Sequence, residues 1–442
     1  MAITWPIFIE VLLHMLMGNA DTLMLSQYND DAVAAVGVAN QLLFFLIVLF
    51  GFISSGTTIV MSQYLGANQL QKAKEVAFVS LFANFIFSLV ISLFIYFFSR
   101  PILQGMNLEG YLLEEAHVYL ALIGGLSFIQ ALIMTESAIL KSYGMTKETM
   151  VVTIGMNVLN VIGNYLFIFG PFGVPVLGVE GVAISTVVSR FIGLICLGYF
   201  MVMRTSQPIF LKLPFITIKQ QLNKLLSIGI PTAGEQISYS ASQLVITYFI
   251  TLLGTEMMTT RIYTQNMMMF IVLFGVAIGQ GTQILIGHYI GANMIDDAYK
   301  RCLKSTKWAI ALAVVFGLII ATFSKPLLSI FTTNHDIIAM GSILLWLTVI
   351  LEPGRSFNLV IINALRATGD AKFPVVIGVL SMWGVSVTLA YLLGIVLDFG
   401  LIGIWIGFIV DEWLRGLLVL ARWKNKKWIR MSFVPKQVAT SS

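Results

Sequence analysis

The chain has 442 residues, 58% hydrophobic and only 11% charged, with a mean hydropathy of +0.91 and a formal net charge of +5. Those proportions exclude a soluble globular or disordered chain and place the protein in a membrane. The positive balance is no nucleic-acid footprint, because the basic residues fall in breaks between apolar runs and not along one face.

Runs of about 20 apolar residues can each cross a bilayer as a helix. They predict an all-α integral membrane protein with twelve transmembrane helices, at 4–26, 34–60, 75–98, 113–140, 150–170, 177–202, 225–252, 258–288, 304–323, 336–364, 374–396 and 401–422. Span one carries Pro6, Glu10 and, in "GNADTLML", Asp21. No cleavable signal peptide is read ahead of it, and the short amino-terminal stretch reads as a trimmed end. The breaks after spans one ("YNDD") and three ("NLEGYLLEE") are acidic, whereas "NQLQKAKE", "KSYGMTK", "DDAYKRCLKSTK" and "RWKNKKWIR" are basic. Positive loops stay in the cytoplasm, so both termini are expected there. Cys196 and Cys302 lack CxxC spacing and read as buried small residues.

The chain repeats itself. At a shift of 225 residues Pro6 meets Pro231, Glu10 meets Glu235, "GAN" at 66–68 meets "GAN" at 291–293, Gly144 meets Gly369, and Arg190 meets Arg415. Two pseudo-symmetric six-helix lobes follow, 1–202 and 225–422, with a cytoplasmic linker at 203–224 and a cytoplasmic tail at 423–442. Six crossings each put both lobes in the membrane with the same orientation, with a cavity expected between them near mid-depth.

Departures from the repeat point to function. Asp21 stands opposite Ile246, deep in span one, where an unpartnered ionised side chain costs about 2.5–3.5 kcal/mol. In span five, "IGMNVLNVIGNYLFIFG", Asn157, Asn160 and Asn164 share one helical face, while Val385 and Leu389 stand opposite the last two. The amides read either as a hydrogen-bonded helix seam or, with Asp21, as one pocket for a proton or a small hard cation. Span ten, "LTVILEPGRSFNLVIINAL", places Glu352 and Arg355 on one face, opposite Ser127 and Gln130. They read as a self-neutralising pair or as a substrate or proton group, and Glu136 in span four is a weaker group of that kind. Glu10, Glu235, Arg190 and Arg415, being repeat-related, read as architectural. Asn40 and Gln41 match Gln265 and Asn266, and could supply polar contacts in a cavity lined by Met and aromatic side chains. No GxxxxGK[ST] or HExxH motif occurs, and His14, His117, His288 and His335 are dispersed, so neither an enzyme nor an ATP-driven pump is expected.

The chain resembles the multidrug and toxic compound extrusion (MATE) transporters, in their bacterial branches. The likeness rests on Pro6 with Asp21, on "GAN" twice, on "LKSYGMTK" and "LRATGDAKFP", on Asn160-x3-Asn164-Tyr165, and on "GVEGVAISTVVSR". It implies lobes that rock in alternating access, exporting amphipathic or cationic organic compounds across the cell membrane against protons or sodium ions. It makes Asp21 and Asn160 coupling residues, and metal ligands only if sodium is the ion. Asn164 falls where some members have an aspartate, and Thr186 matches a span-six threonine. Tyr239 replaces a glutamate common in the family, which puts a second-lobe ion site there in doubt and favours protons modestly. Gln41, Tyr239, Gln265, Asn266, Glu352 and Arg355 are the residues of a possible substrate cavity or second-lobe site. No cofactor and no nucleic acid is expected; the expected partners are membrane lipid and the substrates, with a monomeric chain. The alternative is a flippase for lipid-linked sugars, a cavity for which would need surplus cationic groups.

Overall fold

The computed structural model describes residues 3–205 and 212–434. Residues 206–211 of the expected linker and 435–442 of the expected tail lie outside the described residues.

Helix accounts for nearly every described residue, because apolar side chains leave the backbone no partner in lipid except itself. In chain order the helices are α1 (Thr4–Ser26), α2 (Asp30–Gly66), α3 (Leu70–Gly105), α4 (Gly110–Gly125), α5 (Phe128–Ser142), α6 (Thr146–Phe169) and α7 (Gly178–Thr205). Then come α8 (Phe215–Leu252), α9 (Thr255–Gly291), α10 (Ile295–Thr322), the short α11 (Ser324–Leu328), α12 (His335–Ala367), α13 (Lys372–Ser381), α14 (Thr388–Tyr391) and α15 (Gly400–Lys424). Two π-helical turns, Met382–Val387 and Leu392–Val396, flank α14.

Among the described residues nine helical segments are long and apolar enough to cross a membrane, or ten if α4 and α5, bent by 42° at their junction, form one broken span. That is fewer than the twelve crossings expected. Every 18-residue stretch of α15 contains Asp411, Glu412 and Arg415, too many charges for the usual apolar criterion, and the polar "EQISYSASQ" dilutes α8. Both depart from simple hydrophobicity where polar side chains face the protein.

Several expected loops are helix instead. The polar break "NQLQKAKE" shrinks to residues 67–69 between α2 and α3, since Gln, Lys, Ala and Glu are good helix formers. Likewise α8 begins at Phe215, inside the stretch read as linker, and α15 runs through Trp423 into the stretch read as tail. Trp423 and Trp428 are fully buried and stack at 4.3 Å, so the residues just after the last helix are packed and not loose.

The chain forms two compact units, one made of residues up to Met61 with Gln69–Gly229, the other of Ser62–Asn68 with Ile230 onward. In the first, apolar faces of α2, α3, α4 and α7 share one core with residues such as Val36, Leu103, Leu120 and Val182. In the second, α12 is the central helix, packed against α9, α10 and α15. The "GAN" repeats have a physical cause there. A Cβ on Gly66 would lie 2.1 Å from the His288 carbonyl oxygen, and one on Gly291 2.0 Å from that of Gln63, so only glycine lets the ends of α2 and α9 cross. Asn68 and Asn293 follow in the left-handed conformation (φ 56° and 59°), which asparagine tolerates better than most residues.

Candidate functional site

In the first unit α1, α6 and α7 converge on Asp21, which is buried well within α1. Asn164 Nδ2 donates to Asp21 Oδ1 at 2.5 Å and stands 3.4 Å from Asn160 Oδ1, while Asn160 Nδ2 donates to Thr186 Oγ1 at 3.0 Å. Asp21, Asn160, Asn164 and Thr186 thus form one connected chain. The spacing of four residues along α6 stacks the two asparagines on the face that meets α1 and α7. Asn157, placed on that face by spacing, instead donates to its own helix at the Thr153 carbonyl, 2.8 Å away.

Asn160 and Asn164 are fully buried, and the Asn164 Oδ1 acceptor has no hydrogen-bond partner. Arg190 on α7 and Tyr119 on α4 lie within electrostatic reach of Asp21, and the Tyr119 hydroxyl donates to Asn40 Oδ1 at 3.4 Å. The arrangement places one carboxylate among neutral donors and acceptors with a cation at longer range. It suits reversible loading of a single positive charge.

Closer to the start of α1, Glu10 accepts from Lys141 at 2.7 Å, Ser137 at 3.2 Å and Thr149 at 3.1 Å. These bonds tie α1 to α5 and α6 below the Asp21 chain. In the second unit the repeat-equivalent Glu235 pairs with Arg366 at 2.5 Å.

The second unit holds a cavity of about 210 Å³. Of the expected residues, Tyr239, Gln265 and Arg355 line it. Asn266 is exposed and outside the lining, and Gln41 is exposed on α2. Glu352 is fully buried behind the cavity and bonds Arg355 at 2.7 Å, the pair anticipated from span ten. The pair does not stand alone, because Arg355 also meets Glu412 at 3.3 Å. Arg415 bridges Asp411 at 3.0 Å and Glu412 at 3.1 Å, Asn358 donates to Glu412 at 3.0 Å, and Ser381 donates to Asp411. Three carboxylates therefore share two guanidiniums, with Met268, Met269, Trp405 and Phe408 forming apolar wall.

Sequence reasoning missed Asp411 and Glu412. Their signal was "DEWLR" inside the last apolar run, where i, i+3 and i, i+4 spacing aims both acids at Arg415. Asp411 occupies the repeat position of Thr186, and Arg415 that of Arg190. Each unit thus keeps an arginine on its last helix beside an acid site, but the acid comes from α1 in the first and from α12 and α15 in the second.

A sequence model of the MatE family matches residues 6–166 and again 231–392, two copies whose starts are displaced by the same 225 residues as the internal repeat. The chain belongs to the MatE family. Members of this family are multi-pass membrane transporters and not enzymes. MatE relatives match almost end to end. The uncharacterized transporter YisQ of Bacillus subtilis is 58% identical, covering 97% of this chain and 94% of its own length. The probable multidrug resistance protein NorM of Thermotoga maritima is 28% identical over 98% of this chain and 93% of its own. Among solved structures, the Vibrio cholerae MATE transporter VcmN superposes with a TM-score of 0.88 at 18% identity, covering 97% of each chain. A MOP superfamily transporter from Pyrococcus furiosus superposes with a TM-score of 0.85 at 18% identity, covering 96% of this chain and 94% of its own. At that identity these structures share the fold.

Proposed function

We propose that the chain is a secondary active efflux antiporter of the cell membrane, exporting organic, often cationic compounds as protons flow inward. The single observation that carries this reading is the buried Asp21, held by one amide donor and connected through Asn164 and Asn160 to Thr186. An ion gradient can do work only through a site whose affinity differs between two conformations. Asp21 is suited to that need, because the chain of bonds it begins runs from α1 through α6 to α7, so that a change of its charge bears on how the three helices pack. A single buried carboxylate with one amide donor supports a proton over a sodium ion, because a hard cation is held by several oxygen ligands at once. In the proposed cycle substrate leaves toward the outside as Asp21 loads, the two units alternating between outward and inward access. The basic loops support a reading with both termini in the cytoplasm.

A flippase for lipid-linked sugars is disfavoured. Among the described residues the two arginines that line the second-unit cavity, Arg355 and Arg415, are both engaged by carboxylates, and the nearby Arg261 is held by Thr247 and Gln243. The apolar wall of Met268, Met269, Trp405 and Phe408 beside an excess carboxylate suits an amphipathic cation instead. The test loads membrane vesicles with a fluorescent organic cation and imposes a proton or a sodium gradient separately. Proton-driven movement that disappears in Asp21→Asn is the expected result. Undiminished gradient-driven transport in that variant sinks the mechanism.

A further inference from the structure

One carboxyl of the first unit is used neither by the Asp21 chain nor by the Glu10 bonds. Glu136 on α5 is 8% exposed, and its Oε2 is buried with no hydrogen-bond partner. It faces α7 at Gly198, where a Cβ would stand 3.3 Å from Oε1, so the carboxyl packs closely against that helix. No ion pair reaches it among the described residues. Lys141, on its own helix, is engaged by Glu10; Arg100 of α3 pairs with Glu114; Arg190 of α7 lies toward Asp21 and Tyr119. His14 of α1 lies toward Glu10 and Lys141, and the remaining charged groups of the helices packed on α5 stand at helix ends, with Asp30 and Asp31 opening α2, Lys72, Lys74 and Glu75 on α3, Lys147 and Glu148 on α6, and Glu180 and Arg204 on α7. An ionised carboxylate without a partner is expensive inside hydrocarbon, and a bound proton removes that charge.

Position adds the second argument. The neighbouring Ser137 bonds Glu10 at 3.2 Å, which sets Glu136 near the Glu10 level of the bundle, whereas Asp21 lies about 16 Å further along α1 at 1.5 Å per residue. Helix α7 packs against both α5 and α6, and carries Thr186, linked to Asp21 through Asn160 and Asn164, and Gly198, which faces Glu136. A shift of α7 that accompanies a change at Asp21 therefore also changes the room around Glu136.

We propose that Glu136 is a second proton-binding site of the first unit, loaded when α7 closes over it and emptied when α7 moves away. Its place in a transport cycle rests on the antiporter reading; its binding of a proton does not. The test uses the full chain in lipid nanodiscs, acidified from mildly alkaline to mildly acidic pH, with proton uptake counted and carboxyl bands followed by infrared difference spectroscopy. Glu136→Gln, which keeps the side chain's size, is expected to take up about one proton fewer per chain than the wild type. It also loses a carboxylic-acid band that Asp21→Asn retains. Wild-type uptake with an unchanged band pattern in Glu136→Gln overturns the proposal. If Asp21→Asn matches the wild type while Glu136→Gln falls short, the Glu136 site stands and coupling through Asp21 fails.

Discussion

The Glu10 carboxylate lies 2.7 Å from the Lys141 ammonium, and 225 residues later Glu235 meets Arg366 at 2.5 Å in the same relation. All four side chains are largely buried, and each pair joins the first helix of its unit to the helix that precedes a glycine turn, at Gly144 or Gly369. The repeat has preserved a bond and not merely a residue type.

Removing one member of such a pair strands the other charge. Glu10→Ala is therefore expected to cost about 3 kcal/mol, and the double variant Glu10→Ala with Lys141→Met substantially less. Thermal unfolding of the purified protein in detergent, followed through the double-mutant cycle, measures both. Equal losses in the single and double variants would show that the pair is not the source.

In the proposed antiport cycle Asp21 carries charge part of the time, and Asn164 donates a hydrogen bond to it. Bonds to charged groups are worth about 1.5–3 kcal/mol, so Asn164→Ala is expected to weaken proton-driven efflux about tenfold or more. Asn157→Ala, which removes a bond only to its own helix, should leave efflux near wild type. Transport rates in vesicles at fixed proton gradient compare the two.

The second-unit cluster makes an asymmetric forecast. With three carboxylates to two guanidiniums, Glu352→Gln relieves an excess of negative charge, whereas Arg355→Met leaves Glu352 and Glu412 facing each other without their shared cation. Arg355→Met is expected to destabilise the chain by about 3 kcal/mol or more, with Glu352→Gln near neutral. Denaturation midpoints report the order, and the reverse order would mean that Glu352 is held ionised by something else.

Steric demand at the helix crossing predicts a sharp contrast between glycines. Gly66→Ala and Gly291→Ala each force a Cβ into backbone atoms about 2 Å away and are expected to abolish folded protein in the membrane fraction. Gly18→Ala, with nothing within 4 Å of its Cβ, should express normally. Size-exclusion profiles of the solubilised variants distinguish the outcomes.

Composition and hydrophobic run length were enough to place the chain in a membrane as helices, because a backbone in lipid has so few ways to satisfy its polar groups. The shift of 225 residues exposed the two halves, and the cost of a carboxylate in hydrocarbon singled out Asp21 and the asparagines of α6. Those inferences depend on local spacing and on solvent, both of which a linear sequence records. The apolar criterion passes over α8 and α15, because polarity buried against other helices is indistinguishable along the chain from polarity facing water. For the same reason Asn157 looked equivalent to Asn160 and Asn164 until the packing of α1 and α7 separated them. Only the tertiary structure joined Glu352 and Arg355 of α12 to Asp411, Glu412 and Arg415 of α15, and set Glu136 facing α7 at Gly198. Such contacts are decided by which helix faces meet, and that choice is made by packing between segments far apart in the chain.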